Sequence, residues 1–206
     1  MAASIGIVDY QMGNLASLQN SLAVIGSAAR IVRDPCELGS LDKLILPGVG
    51  AFGDAADHLH KSGLDEAITA FVRAGKPLFG ICLGMQMLFE RSEESIGAKG
   101  LGLLAGEVKR FDPTQAAHPI KIPHMGWNAV HTRHKSPLFE GLNDGDRLYF
   151  VHSFHAVCGE SETILSAFYG YEFPAAVGHD NIFGLQPHPE KSHKTGLEIL
   201  RNFTEL

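Results

Sequence analysis

Lys76-Pro77-Leu78-Phe79-Gly80-Ile81-Cys82-Leu83-Gly84-Met85-Gln86-Met87-Leu88-Phe89-Glu90 is the stretch around which the chain is organised. Leu78 to Ile81 is an apolar run of strand length, and Met85, Leu88 and Phe89 share one helical face after Gly84. Cys82 therefore falls where a strand hands over to a helix. Gly80-x-Cys82-x-Gly84 has the small-residue spacing of a nucleophile elbow: the glycines permit a tight turn that pushes the side chain out, and the helix N-terminus behind it favours an anion. The pattern suits a nucleophilic thiolate. It equally suits a small buried cysteine in an α/β crossover, and the stretch alone leaves both readings open.

Upstream, strands and helices alternate. Ile5 to Val8 reads as a buried strand, and Asn14 to Ile25 carries Leu15, Leu18, Leu22 and Ile25 at helical spacing, with Asn14 placed to cap the helix. Ala28 to Val32 and Lys43 to Leu46 give two more strands, the latter breaking at Pro47-Gly48-Val49-Gly50. Helices are predicted over Asp54–His60 and Leu64–Ala74, closed by Gly75. Such alternation points to a parallel sheet covered on both faces, and ligands gather at the carboxyl ends of its strands. Downstream, a glycine-rich segment from Gly97 to Gly106 precedes shorter strands: Val108 onward, Trp127–Val130, Arg147–Val151, Thr163–Ala167 and Ile182–Leu185. Ser192 to Phe203 is again helical. The expected fold is α/β, doubly wound, with a mostly parallel central sheet and an antiparallel extension. No repeat or linker divides residues 1–206, which are expected to form one domain.

The 206 residues are 45% hydrophobic and 19% charged, with 17 basic against 23 acidic side chains and a formal net charge of -6. That balance, without a dense Lys/Arg run, argues against nucleic acid or an anionic membrane as the main partner. Met1 leads straight into a strand without a basic segment or a long apolar run, so a cytoplasmic location is expected. Cys36, Cys82 and Cys158 are widely spaced and form neither a disulfide framework nor a thiolate zinc site. His131-x-x-His134 and His152-x-x-His155 lack the Glu of a His-Glu-x-x-His helix and any neighbouring cysteine, so no metal is expected.

A thiolate nucleophile needs a base and the base needs an orienting acid. Gly184-Leu185-Gln186-Pro187-His188-Pro189-Glu190 offers both, His188 and Glu190 projecting from one proline-stiffened loop after an apolar strand. Together with the elbow, this pair resembles the triad-type, class I glutamine amidotransferases. Asp9-Tyr10-x-Met12-Gly13-Asn14-Leu15, Leu46-Pro47-Gly48-Val49-Gly50-Ala51-Phe52, Lys121-Ile122-Pro123-His124-Met125-Gly126-Trp127-Asn128, Tyr149-Phe150-Val151-His152-Ser153 and His188-Pro189-Glu190-Lys191-Ser192 extend the likeness over nearly the whole chain. In order and spacing they are similar to the family of glutaminase subunits of imidazole glycerol phosphate synthase.

The resemblance implies roles residue by residue. Cys82 attacks the glutamine carboxamide, His188 protonates the leaving ammonia and then activates water, and Glu190 holds the imidazole. The backbone N–H groups of Leu83 and Val49 form the oxyanion hole. Gly50, Gln86, Glu90, His152, Ser153 and Phe154 hold the amino-acid end of glutamine. The resemblance implies no cofactor. It implies a heterodimer with a (β/α)₈-barrel cyclase, which receives the ammonia and faces Asn14, Pro123, His124, Met125, Gly126 and Trp127. Nothing in this chain resembles a phosphate-binding loop, so the acceptor site belongs on another protein. Two positions depart from the family pattern: Pro187 stands where it has phenylalanine, and Gln11 where it has glycine. Gln11 implies a first loop with no positive φ at that position. Rival readings are an amidotransferase serving pyridoxal phosphate synthesis, an inactive regulatory paralogue and a cysteine peptidase on a related scaffold; the Pro-His-Met-Gly-Trp segment and the intact Cys82, His188 and Glu190 speak against the first two.

Overall fold

The computed structural model describes residues 3–206. The first half alternates: β1 (Ile5–Val8), α1 (Leu15–Val24), β2 (Ala29–Val32), α2 (Pro35–Leu38), β3 (Lys43–Leu46), α3 (Phe52–Ser62), α4 (Leu64–Arg73), β4 (Leu78–Ile81) and the single-turn α5 (Leu83–Gln86). Asn14 caps α1 by accepting from Ser17 N–H, as its position predicts. Every residue of β1, β3 and β4 is buried, as strands covered on both faces must be. The short α2 escapes the periodicity; Asp34 caps it through Cys36 N–H and Pro35 opens it.

The second half continues with β5 (Arg91–Ser92), β6 (Glu107–Arg110), β7 (His124–Thr132), β8 (Arg147–His152), β9 (Phe154–Val157), β10 (Thr163–Tyr169), β11 (Tyr171–His179), β12 (Ile182–Leu185) and α6 (His193–Glu205). A nine-stranded sheet runs β2-β1-β3-β4-β12-β11-β10-β7-β8. β2, β1, β3, β4 and β12 are parallel, and from β12 onward each neighbour is antiparallel. The doubly wound sheet with its antiparallel extension is thus as expected. A second sheet, β5-β6-β9, has no counterpart in the sequence reading.

Two apolar clusters flank the main sheet. α1 and α6 press Leu18, Leu22, Ile199, Leu200 and Phe203 against one face, where Phe203 meets Phe79 at 5.2 Å between ring centres. α2, α3 and α4 press Leu38, Phe52, Leu59, Ile68 and Phe71 against the other. Each such side chain contributes roughly 1.5–3 kcal/mol over its exposed state, so both layers are clamped to the sheet. β4 pairs in register with β3 and with β12. The carboxyl ends of these three strands lie on one edge and bring Pro47–Gly50, Cys82 and Gln186–His188 side by side.

Candidate active site

Cys82 sits at φ +54°, ψ −109°, a conformation that costs a non-glycine residue of order 1–3 kcal/mol. Its N–H donates to Leu185 O at 2.8 Å, so β12 holds the strained turn in place. A Cβ on Gly84 would lie 1.8 Å from Leu46 O, and one on Gly80 would lie 2.6 Å from Gly84 O. Backbone approach therefore imposes both glycines of the elbow. The helix predicted to run toward Glu90 is a single turn. Leu88 N–H donates to Met85 O and Phe89 N–H to Gln86 O, tightening the chain into turns that lead to β5. Glu90 is consequently exposed and outside the cleft, which corrects its expected place.

His188 and Glu190 are almost wholly enclosed, and His188 Nδ1 meets Glu190 Oε1 at 2.8 Å. The loop that carries them is anchored twice to β8: His188 N–H donates to Tyr149 O, and Ser192 Oγ accepts from Tyr149 N–H while donating to His188 O at 2.6 Å. Pro187 removes one donor, yet Gln186 N–H still binds Ala175 O, so the departure leaves the anchors on both sides intact. Burial pulls the His188 pKa down, but the Cys82 sulfur and the Glu190 carboxylate outweigh it and push the imidazole up to about 10. His188 Nε2 and Glu190 Oε2 are buried without a hydrogen-bond partner among the described residues. Nε2 is therefore free to exchange a proton with a bound reactant.

A cleft of about 350 Å³ gathers Cys82, Leu83 and His188 with Val49, Gly50, Gln86, His152, Ser153 and Phe154, as well as Pro123 and Val151. Glu94 also lines it, a residue the sequence reading missed. Glu94 Oε2 accepts from Phe52 N–H at 2.8 Å, tying the segment after β5 to the start of α3. Among the described residues, neither the Val49 nor the Leu83 N–H has an intramolecular acceptor. Behind them Tyr10 donates to Pro47 O at 2.6 Å, and a Cβ on Gly48 would strike the Tyr10 hydroxyl. Burial, and then the charge of Cys82, raise the Tyr10 pKa, so the phenol remains a donor. Gln11 adopts φ +69°, contrary to expectation; its N–H donates to Asp9 Oδ1, an Asx turn that supports the strained position.

On the rim, Val49, Met125 and Trp127 expose 45%, 62% and 40% of their surface, far more than core residues do. The Trp127 ring stacks flat on His193 at 4.9 Å. Pro123 and Asn14 are exposed, Gly126 is half-buried, and Asn14 reaches the gap beside Gly48 and Glu190. His124 is the exception among the expected interface residues. β7 alternates, so His124 points inward, is 3% exposed and stacks on Tyr169 and Phe150. Its surroundings make it a core histidine, and burial lowers its pKa to about 4.

A cysteine elbow on an α/β sheet, joined at the strand ends by a histidine–glutamate pair, defines a class of hydrolytic enzymes, and the family model for glutamine amidotransferase class-I matches residues 7–206. The chain is 57% identical over 202 residues, spanning 98% of it and 97% of the relative, to imidazole glycerol phosphate synthase subunit HisH of Sulfurimonas denitrificans. It is 54% identical over 203 residues to HisH of Wolinella succinogenes, with 98% and 99% covered. The chain belongs to the class-I glutamine amidotransferases and, within them, to the HisH subunits of imidazole glycerol phosphate synthase. Its fold is similar to that of PurLQS from Thermotoga maritima, with TM-score 0.76 at 22% identity, covering 100% of this chain and 99% of that one. The crystal structure of another glutamine amidotransferase gives TM-score 0.75 at 22% identity, over 98% and 97%.

Proposed function

We propose that the chain is the cytoplasmic glutaminase subunit of imidazole glycerol phosphate synthase, acting as a single amidotransferase domain. It hydrolyses glutamine to glutamate and ammonia and passes the ammonia to a (β/α)₈-barrel cyclase for histidine biosynthesis. The observation that carries this reading is the buried His188–Glu190 pair, 2.8 Å apart, in the same cleft as the strained Cys82.

Cys82 Sγ attacks the carboxamide carbon, and the N–H groups of Leu83 and Val49 receive the oxyanion. His188, protonated at neutral pH, gives its Nε2 proton to the departing ammonia, leaving a thioester. Acylation removes the sulfur's negative charge, one of the two influences that raise the imidazole's pKa. Burial then has more weight, and His188 becomes the base that draws a proton from the attacking water. Gln86, His152, Ser153 and Phe154 surround the substrate, and the Glu94 carboxylate suits its α-ammonium group. The exposed Val49, Met125 and Trp127 offer a barrel face apolar side chains to dock on, and docking there seals the ammonia from water.

Glutamate release, assayed with and without the cyclase and its nucleotide, tests the reading. Low activity alone, activity raised by orders of magnitude in the complex, and none in Cys82→Ala are expected. Robust turnover by Cys82→Ala removes the nucleophile assignment.

A further inference from the structure

Behind the nucleophile lies a side chain that the triad leaves unused. Gln186 follows β12, is fully buried, and directs Nε2 at Cys82 Sγ from 3.7 Å. We propose that Gln186 is a further catalytic residue: its amide N–H donates to the Cys82 sulfur, aims the thiolate and stabilises its charge, while Gln86 and Phe154 lock the amide in that orientation. The inference deepens the amidotransferase reading and rests on Cys82 as its nucleophile.

The orientation follows from donors and acceptors alone. His152 Nδ1 faces Phe154 O at 2.7 Å, so Nδ1 carries the proton and Nε2 accepts. His124 Nδ1, 3.0 Å from that Nε2, must then donate, and His124 Nε2 accepts from Asn128 Nδ2. Phe154 O takes a second bond, from Gln86 Nε2 at 3.1 Å. The other N–H of Gln86 donates to Gln186 Oε1, also at 3.1 Å. Gln186 Nε2 is thereby turned to the sulfur. Flipping the Gln186 amide would set two NH₂ groups against each other and leave its carbonyl facing Cys82. In this buried setting neither loss is compensated by water. Burial holds both His124 and His152 below the ordinary histidine range, so both stay neutral and the proton order of the chain is fixed.

A hydrogen bond to a charged acceptor is worth at least about tenfold in an equilibrium, enough to matter for the nucleophile. The test follows iodoacetamide alkylation of the Cys82 peptide by mass spectrometry across pH, in the wild type, Gln186→Leu and Gln186→Met. Glutamine kinetics are measured on the same variants in the cyclase complex, and Cys82→Ala serves as control. Both Gln186 variants are expected to shift the alkylation profile to higher pH, to react about tenfold more slowly at neutral pH, and to lose kcat at nearly constant KM. Gln186→Met keeps the length of the side chain and adds no charge while removing the donor, and decides the matter if Gln186→Leu does not fold. A wild-type alkylation profile and kcat in the folded variant overturn the role of Gln186 while Cys82→Ala remains inactive. Turnover by Cys82→Ala instead overturns the nucleophile reading beneath it.

Discussion

Replacing Glu190 by glutamine keeps the shape of the side chain and removes its charge. The carboxylate is 6% exposed and 2.8 Å from His188 Nδ1. A hydrogen bond with an ionised partner there contributes about 1.5–3 kcal/mol. Without it, burial is opposed by Cys82 alone, and the His188 pKa falls from about 10. Expressed in the transition state at about 1.4 kcal/mol per factor of ten, the loss lowers kcat roughly 10- to 150-fold. KM for glutamine changes little, because Glu190 is behind the imidazole and does not line the cleft. Stability responds too. The folded chain holds the His188 proton more tightly than the unfolded one, so this contribution is whole below pH 6.5 and is lost as pH rises to about 10. In Glu190→Gln the upper end of that window moves down. Glutamate release by the cyclase complex across this range, with urea unfolding of the isolated chain at the same pH values, measures both effects. A variant with wild-type kcat and an unchanged pH–stability curve would refute the reasoning.

The remaining predictions probe other parts of the site. Glu94→Gln is expected to raise KM for glutamine about tenfold or more while kcat holds, whereas Glu90→Gln leaves both unchanged; the reverse pattern returns substrate binding to Glu90. Gly84→Ala forces a Cβ to 1.8 Å from Leu46 O, so urea unfolding should report a loss of about 3 kcal/mol or more; near-wild-type stability refutes the close approach. Trp127→Ala removes an exposed ring, leaving stability within about 1 kcal/mol while weakening association with the cyclase. Unchanged co-purification removes Trp127 from the interface.

The parallel half of the sheet was readable because each buried strand is a short apolar run flanked by turn residues, and because the glycines of the elbow are demanded by backbone contacts that any such turn makes. Glu90 was misplaced for a physical reason. Met85, Leu88 and Phe89 do share an apolar environment, but they reach it through a one-turn helix and tight turns, a pattern that helical periodicity imitates. The two-residue β5 carries too little pattern to announce the second sheet, and with it the segment that returns Glu94 to the cleft. β11 went unassigned although it is central. It contains Pro174, which normally argues against an interior strand, and is accommodated opposite Ser166 beside a break in the β10 register. Gln11 shows the limit of reading a glycine position from its occupant: the left-handed turn persists and the side chain tolerates it.

β12 is an interior strand, between β4 and β11, and it brings Gln186 to a sulfur 104 positions earlier in the chain. The elbow at Cys82 is itself tied to Leu185 O. During synthesis, then, a chain that already contains its thiol has neither the anchor for the strained turn nor the histidine to serve it. Only after Ile182–His188 has left the ribosome and inserted into the gap beside β4 can the centre assemble. With Cys82 and His188 in the roles proposed above, sheet topology acts as a safeguard in time: an unfinished polypeptide cannot consume glutamine before there is a finished subunit for the cyclase to receive.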